Sequence, residues 1–216
     1  MKESDEGTLS LQGLGIDLNE PMDRPNHRLW LGALIAGSTV LGTLALMAPF
    51  VLSRSPLPYM ATPGHKIRKA LEFIQAKSGR EKPGTFVDLG SGDGEGVYQA
   101  LRVGYQQAVG IEMNLTLCIL SRIRRQFFWE NNLRRRSHFL NQDFFRYSLT
   151  QADTCMIFGV TPLMEPISRK LALECSPGTH VLAYRFKLPL ATGSKRRLLS
   201  AEIVYDVEEM RVYECR

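Results

Sequence analysis

The stretch Val87-Asp88-Leu89-Gly90-Ser91-Gly92-Asp93-Gly94 decides the fold. A short apolar run with strand composition, Thr85–Leu89, stops at three glycines on alternate positions, and a helical pattern, Gly94–Arg102, starts on the last of them. Glycines here let the backbone turn sharply and approach a ligand without a Cβ in the way. A dinucleotide-binding turn reads GxGxxG and lays a pyrophosphate on the helix N-terminus. This turn reads GxGxG and is bracketed by two acids, Asp88 and Asp93. Carboxylates repel a pyrophosphate and suit a cationic sulfonium carrying an amino-acid ammonium. The loop therefore points to S-adenosyl-L-methionine rather than NAD, with Asp88, Gly90, Ser91 and Gly92 as its contacts.

Working outward, strand and helix signals alternate. Upstream lies a helix, His65–Lys77, with Ile67, Leu71 and Ile74 on one stripe. Downstream come a strand Ala108–Glu112, a long helix Leu115–Glu130, a weak strand His138–Asn141, a strand Thr154–Phe158, a helix Met164–Glu174 and a strand His180–Phe186. Ala201–Asp206 and Met210–Cys215 alternate apolar and polar residues, which suits an antiparallel pair. Repeated βα units imply a parallel sheet covered by helices. Glu112 ends the second strand, where an acid can accept hydrogen bonds from both ribose hydroxyls. Asp143 follows the third strand and can take an adenine exocyclic amine, with Phe144 beside the ring. The fold expected is α/β: a class I, seven-strand, Rossmann-like S-adenosylmethionine-dependent methyltransferase preceded by a single transmembrane helix.

That helix is read from composition. Residues 1–28 hold three basic and six acidic side chains, residues 29–52 hold none, and residues 53–216 hold 24 basic and 16 acidic. Leu29–Leu52 is thus 24 residues without an ionisable group, about 36 Å as a helix against a hydrocarbon core of about 30 Å. Trp30 at one rim and Gly32, Gly37 and Gly42 along it fit a membrane helix. The acidic, long N-terminal tail fits neither a secretory signal nor a cleaved mitochondrial presequence. Arg24 and Arg28 flank one side and Arg54, Lys66, Arg68 and Lys69 the other, which puts the body of the chain on the positively biased side, cytosol or mitochondrial matrix. The domains expected are a polar tail 1–28, an anchor 29–52, a Pro-rich connector 53–64 and a methyltransferase domain 65–216.

Four cysteines (Cys118, Cys155, Cys175, Cys215) form no CxxC pair, and the four histidines have no ligand spacing with them, so neither a disulfide framework nor a metal is expected.

The segments VDLGSGDG, AVGIEMN, SRIRRQFFWENN and MIFGVTPLMEPISRKL resemble the family of membrane-anchored mitochondrial protein-lysine N-methyltransferases. The similarity spans roughly residues 29–186 and includes Pro58–Pro63. Members modify the ATP synthase c subunit and the ADP/ATP carrier (adenine nucleotide translocase), and Ala48-Pro49-Phe50-Val51 is more similar to the c-subunit branch. Three places depart: the family's Arg after GDG is Glu95 here, its Pro after Glu-x-Asn is Leu115, and its Trp-containing stretch after the fifth strand is Ala191-Thr192-Gly193-Ser194-Lys195-Arg196-Arg197. The resemblance implies an inner-membrane, single-pass enzyme with its catalytic domain in the matrix. Its partners would be the lipid bilayer and a membrane protein presenting a matrix-facing lysine.

A lysine acceptor must be neutral to attack, and its free pKa is about 10.4, so an apolar, water-poor pocket is required. That pocket is expected beyond the fourth strand, at Phe158, Gly159, Val160 and Thr161. No general base is legible. Competing readings are a nucleic-acid methyltransferase, suggested by Arg122, Arg124, Arg125 and Arg134–Arg136, a lipid or quinone methyltransferase, and a non-catalytic assembly protein. The arginines are read instead as cations at the end of the long helix, where they complement its dipole, so no nucleic acid is expected as a partner.

Overall fold

The computed structural model describes residues 32, 34–43, 60–79, 83–193 and 197–216. The chain divides into two units, Met1–Met47 and Ala48–Arg216, each described by itself.

In the first unit, residues 34–43 are helical. The hydroxyls of Ser38, Thr39 and Thr43 turn back onto carbonyls three or four residues earlier, at 2.7–3.1 Å. Its apolar side chains, Leu34, Ile35, Val40 and Leu41, are all exposed. The remainder of the expected anchor, except residue 32, lies outside the described residues. Among the described residues no helix is long and apolar enough to cross a membrane.

The second unit begins with helix α1 (Gly64–Ser78), which buries Ile67, Ala70, Leu71 and Ile74 at helical spacing and stops at Gly79 in the left-handed region (φ 62°). Then follow β1 (Thr85–Leu89), α2 (Glu95–Val103), β2 (Gln107–Glu112), α3 (Leu115–Phe128), α4 (Asn131–Arg135), β3 (Ser137–Asn141), β4 (Thr154–Ile157), α5 (Thr161–Glu174), β5 (His180–Tyr184), β6 (Ala201–Val207) and β7 (Met210–Cys215). The strands form one seven-stranded sheet in the order β3-β2-β1-β4-β5-β7-β6. The first five are parallel and β7 is antiparallel to both neighbours. Alternation along β1 feeds two cores. Phe86 packs with α1 and α2 on one face, while Val87 and Leu89 pack with α5 on the other.

Several boundaries differ from expectation. The long helix stops at Phe128, not Glu130, because Trp129 turns extended (φ −100°, ψ 145°) and buries its ring against Tyr98 and Phe139 at 5.2 and 5.8 Å between centroids. The short helix α4 that follows has no separate signal in the sequence. α5 starts at Thr161 rather than Met164, since Pro162 is tolerated in a first turn that needs no N–H from it. β5 ends at Tyr184 rather than Phe186 because Arg185 takes a positive φ of 65°. The cysteines are free thiols. Three of them meet beneath α5, where hydrogen bonds to Cys155 and Cys175 respectively, with burial, push the Cys175 and Cys215 thiols up.

Candidate active site

The strand order reverses between β1 and β4, whose carboxyl ends open on a crevice, the place where open α/β sheets bind ligands. The glycine loop is built there. Gly90, Gly92 and Gly94 all have positive φ (84°, 54° and 90°), a conformation that favours glycine. Gly90 N and Ser91 N donate to Ile111 O at 2.9 and 3.0 Å, stitching the loop to β2. Gly94 also packs so closely on Phe139 that a Cβ would sit 2.7 Å from its ring.

Glu112 closes the arrangement. One carboxylate oxygen accepts from Gly92 N at 2.9 Å and the other from Asn114 N at 2.7 Å. Asn114 in turn caps α3, its side chain accepting from Thr116 N and Leu117 N. Asp143 caps the single turn Phe144–Arg146 by accepting from Phe145 N at 2.9 Å, which presents Phe144 and Phe145 as a tilted ring pair.

These residues line one cavity of about 530 Å³, within the range of ligand-sized pockets. Asp88, Gly90, Ser91, Gly92, Glu112 and Asp143 all reach it, as do Phe158, Gly159 and Val160. Thr161 does not. It is the exposed first residue of α5, and Pro162 and Leu163 line the wall in its place. The sequence missed Met60, Ala61 and Thr62, which end the Pro-rich stretch on the cavity wall.

It also missed the role of Arg124. Its guanidinium ion-pairs with Asp93 and, at 3.2 Å, with Glu95, pinning the loop from α3. Glu95 further accepts from Gln99 Nε2 at 2.7 Å. The neighbouring arginines are spent on carbonyls: Arg122 on Phe139 O at 2.8 Å, Arg125 on Ser137 O at 2.9 Å and Arg136 on Tyr105 O at 2.7 Å. Arg125 does lie in the last turn of α3, and Arg134 and Arg135 in that of α4, where cations complement the helix dipole, and these bonds add specific tethers to β3 and the neighbouring loops.

Five carboxyl groups face the cavity: Asp88, Asp93, Glu95, Glu112 and Asp143. Burial first, then repulsion by Glu112 and Asp93, pushes the Asp88 carboxyl up to about 8. Among the described residues the buried Ser91 hydroxyl has no hydrogen-bond partner, which costs about 1–3 kcal/mol unless a ligand satisfies it. A Cβ built on Gly90 would meet nothing within 4 Å, so its backbone stands open. A cationic ligand with donor and acceptor groups fits each of these features, and S-adenosylmethionine is such a ligand.

Fold and site together define a class I S-adenosylmethionine-dependent methyltransferase. Residues 88–195 match the family model described as the ANTKMT methyltransferase domain. A relative from Caenorhabditis elegans, named as the lysine N-methyltransferase of the ATP synthase c subunit, is 34% identical over 72% of this chain and 82% of its own length. The mouse adenine nucleotide translocase lysine N-methyltransferase is 29% identical over 63% of this chain and 56% of its own. Among solved structures, a Salinibacter ruber RNA methyltransferase in complex with S-adenosyl-L-homocysteine superposes with a TM-score of 0.55 at 24% identity, covering 71% of this chain and 91% of that one, a likeness of fold. The chain belongs to the ANTKMT methyltransferase domain family.

Proposed function

We propose that this enzyme is a protein-lysine N-methyltransferase anchored in the inner mitochondrial membrane by residues 29–52, with its catalytic domain in the matrix and the ATP synthase c subunit as acceptor. The observation that carries the reading is membership of a family whose relatives are named for lysine methylation, joined to an acid-lined cofactor cavity with an apolar wall. The adenine nucleotide translocase is the second candidate, favoured by the mouse relative.

When bound, S-adenosylmethionine supplies an electrophilic methyl group. Asp88 and Glu112, with Ser91 and the open backbone of Gly90, would hold it, and Asp143 with Phe144 would hold the adenine. The acceptor's needs are met by other residues. A lysine ammonium has no lone pair, and desolvation favours its neutral form. Phe158, Val160, Pro162 and Leu163, facing Met60 and Ala61 in the same cavity, supply an apolar wall of that kind. Rigid placement of the amine contributes rate by removing translational and rotational freedom beforehand. Phe158 is fixed for this by its tilted contact with Tyr184, 5.4 Å between centroids.

The membrane setting is supported by the uncharged run and by the described helix 34–43. Its three hydroxyls bond their own backbone, which removes the cost of exposing them to hydrocarbon. Confinement at one membrane face raises the effective concentration of embedded acceptors without any new contact.

Mass spectrometry of both candidate acceptors from mitochondria lacking this protein tests the reading. Loss of methyl-lysine on the c subunit is expected. Loss on the carrier alone would replace that acceptor, and loss on neither would return the lipid and nucleic-acid readings. Removal of residues 1–52 is expected to release soluble protein outside mitochondria, and carbonate-resistant retention there would refute the anchor.

A further inference from the structure

α3 buries only Leu117, Cys118 and Ser121. Its opposite side carries Leu115, Ile119, Ile123 and Phe127, each four residues after the last and so stacked on one stripe. All four are exposed, Phe127 at 76%, and Phe128 at the helix end is exposed at 79%. Scattered exposed apolar residues need no explanation, whereas a contiguous stripe marks an interaction surface. The stripe begins at the active-site mouth, because Met113, one residue before the Asn114 cap, is half exposed and lines the cofactor cavity.

Charge says what the stripe meets. Residues 122–136 hold six arginines and a single acid, Glu130, which pairs with Arg102. Arg124 is neutralised by Asp93 and Glu95, but Arg122, Arg125 and Arg136 bond to carbonyl oxygens, which hold the guanidinium without cancelling its charge. An apolar stripe with Leu, Ile and Phe, on a helix whose opposite side and following segment carry arginines, is the pattern of a helix lying in the interface of a bilayer containing anionic lipid. A phosphate backbone would match the arginines and leave the stripe without a partner.

We infer that α3 is a second membrane contact, docking the catalytic domain onto an anionic bilayer surface so that the cavity mouth beside Met113 opens at the headgroup level. The inference rests on the membrane setting proposed above and adds an orientation to it. A tether alone leaves the domain free to tumble, whereas docking presents the pocket to lysines in short loops at the same depth.

The test uses the full chain in phosphatidylcholine vesicles with and without phosphatidylglycerol. A nitroxide label is attached through Phe127→Cys in a Cys175→Ser background, the other native cysteines being buried. A control label goes on Ile203→Cys, exposed on β6 at the far edge of the sheet. Vesicle flotation reports the anchor, and label collisions with oxygen and with an aqueous nickel chelate report its surroundings. The expected result is that both labelled chains float but only the label at 127 becomes oxygen-accessible and nickel-protected, with phosphatidylglycerol present. Ile119→Glu with Ile123→Glu should abolish that change while flotation and cofactor binding stay as in wild type. An aqueous label at 127 on a floating chain would overturn the docking and leave the anchor standing. Protection from both reagents would also overturn it, by showing that protein covers the stripe, as would immobilisation by added RNA alone. A chain that does not float overturns the membrane setting itself.

Discussion

Asp88 offers the sharpest perturbation, because the structure gives it a proton that a bound cation must expel. The residue is 4% exposed, and its carboxyl is raised to about 8 by burial, with Glu112 and Asp93 adding repulsion. Ligand binding that needs the ionised form is weakened by the protonated fraction, about 11-fold at pH 7 and about 100-fold at pH 6 relative to pH well above 8. Asp88→Asn keeps the shape and removes the titration. The cofactor's own α-amino group titrates near pH 8 in both proteins, so it cancels in the ratio of their affinities. Calorimetry with S-adenosylmethionine should show that ratio falling about tenfold per pH unit below 8. Near pH 7, wild type should release roughly 0.9 proton more than the variant on binding.

The sign for stability is opposite. The folded carboxyl holds its proton up to about pH 8 while the unfolded one releases it near pH 4, so stability is lost as pH rises between them. Without ligand, Asp88→Asn should therefore be the more stable protein at pH 7, by at most roughly 4 kcal/mol at 1.36 kcal/mol per unit. Parallel pH profiles with no difference in proton release would refute the placement of Asp88 against the cationic ligand.

Other changes test the remaining parts of the site. Glu112→Ala strands the N–H groups of Gly92 and Asn114 and removes the proposed ribose acceptor; titration should show S-adenosylmethionine affinity lowered by about 10- to 150-fold, the worth of one charged hydrogen bond. Gly94→Ala combines a φ of 90° with a collision against the Phe139 ring, and denaturant unfolding should show a loss of about 2 kcal/mol or more. Arg124→Ala should cost less than about 1 kcal/mol of stability, since its ion pairs are partly exposed, yet weaken cofactor binding by freeing Asp93 and Glu95. A binding constant equal to wild type would show that the loop holds its shape unaided.

What could be read from the chain was local in sequence. The glycine turn, the strands on either side of it and the acid ending β2 each announce themselves within a few residues, because φ > 0 and strand alternation are local demands. The partners of those residues are not local. Arg124 lies 31 residues from Asp93, and Phe139 packs on both Gly94 and Gly110 from another strand. The end of α3 is set by non-local contacts in the same way. Residues 129–130 continue the helical pattern, but burial of Trp129 between Tyr98 and Phe139 outweighs one more helical turn. Position just beyond β4 suggests Thr161 for the pocket, while in the fold Pro162 and Leu163 line it. In the sequence, Glu95 is only a departure from the family's arginine. In the fold it is the second carboxylate held by Arg124.

The most direct test is methyl transfer by the purified full chain. The chain, S-adenosylmethionine carrying an isotopically labelled methyl group and membrane-reconstituted ATP synthase c subunit are combined, and the products are read by mass spectrometry. Label on a lysine of the c subunit with wild type, and its loss with Glu112→Ala, is the predicted result. An enzyme that binds S-adenosylmethionine but leaves every lysine unlabelled, or a Glu112→Ala variant that labels as well as wild type, would contradict it.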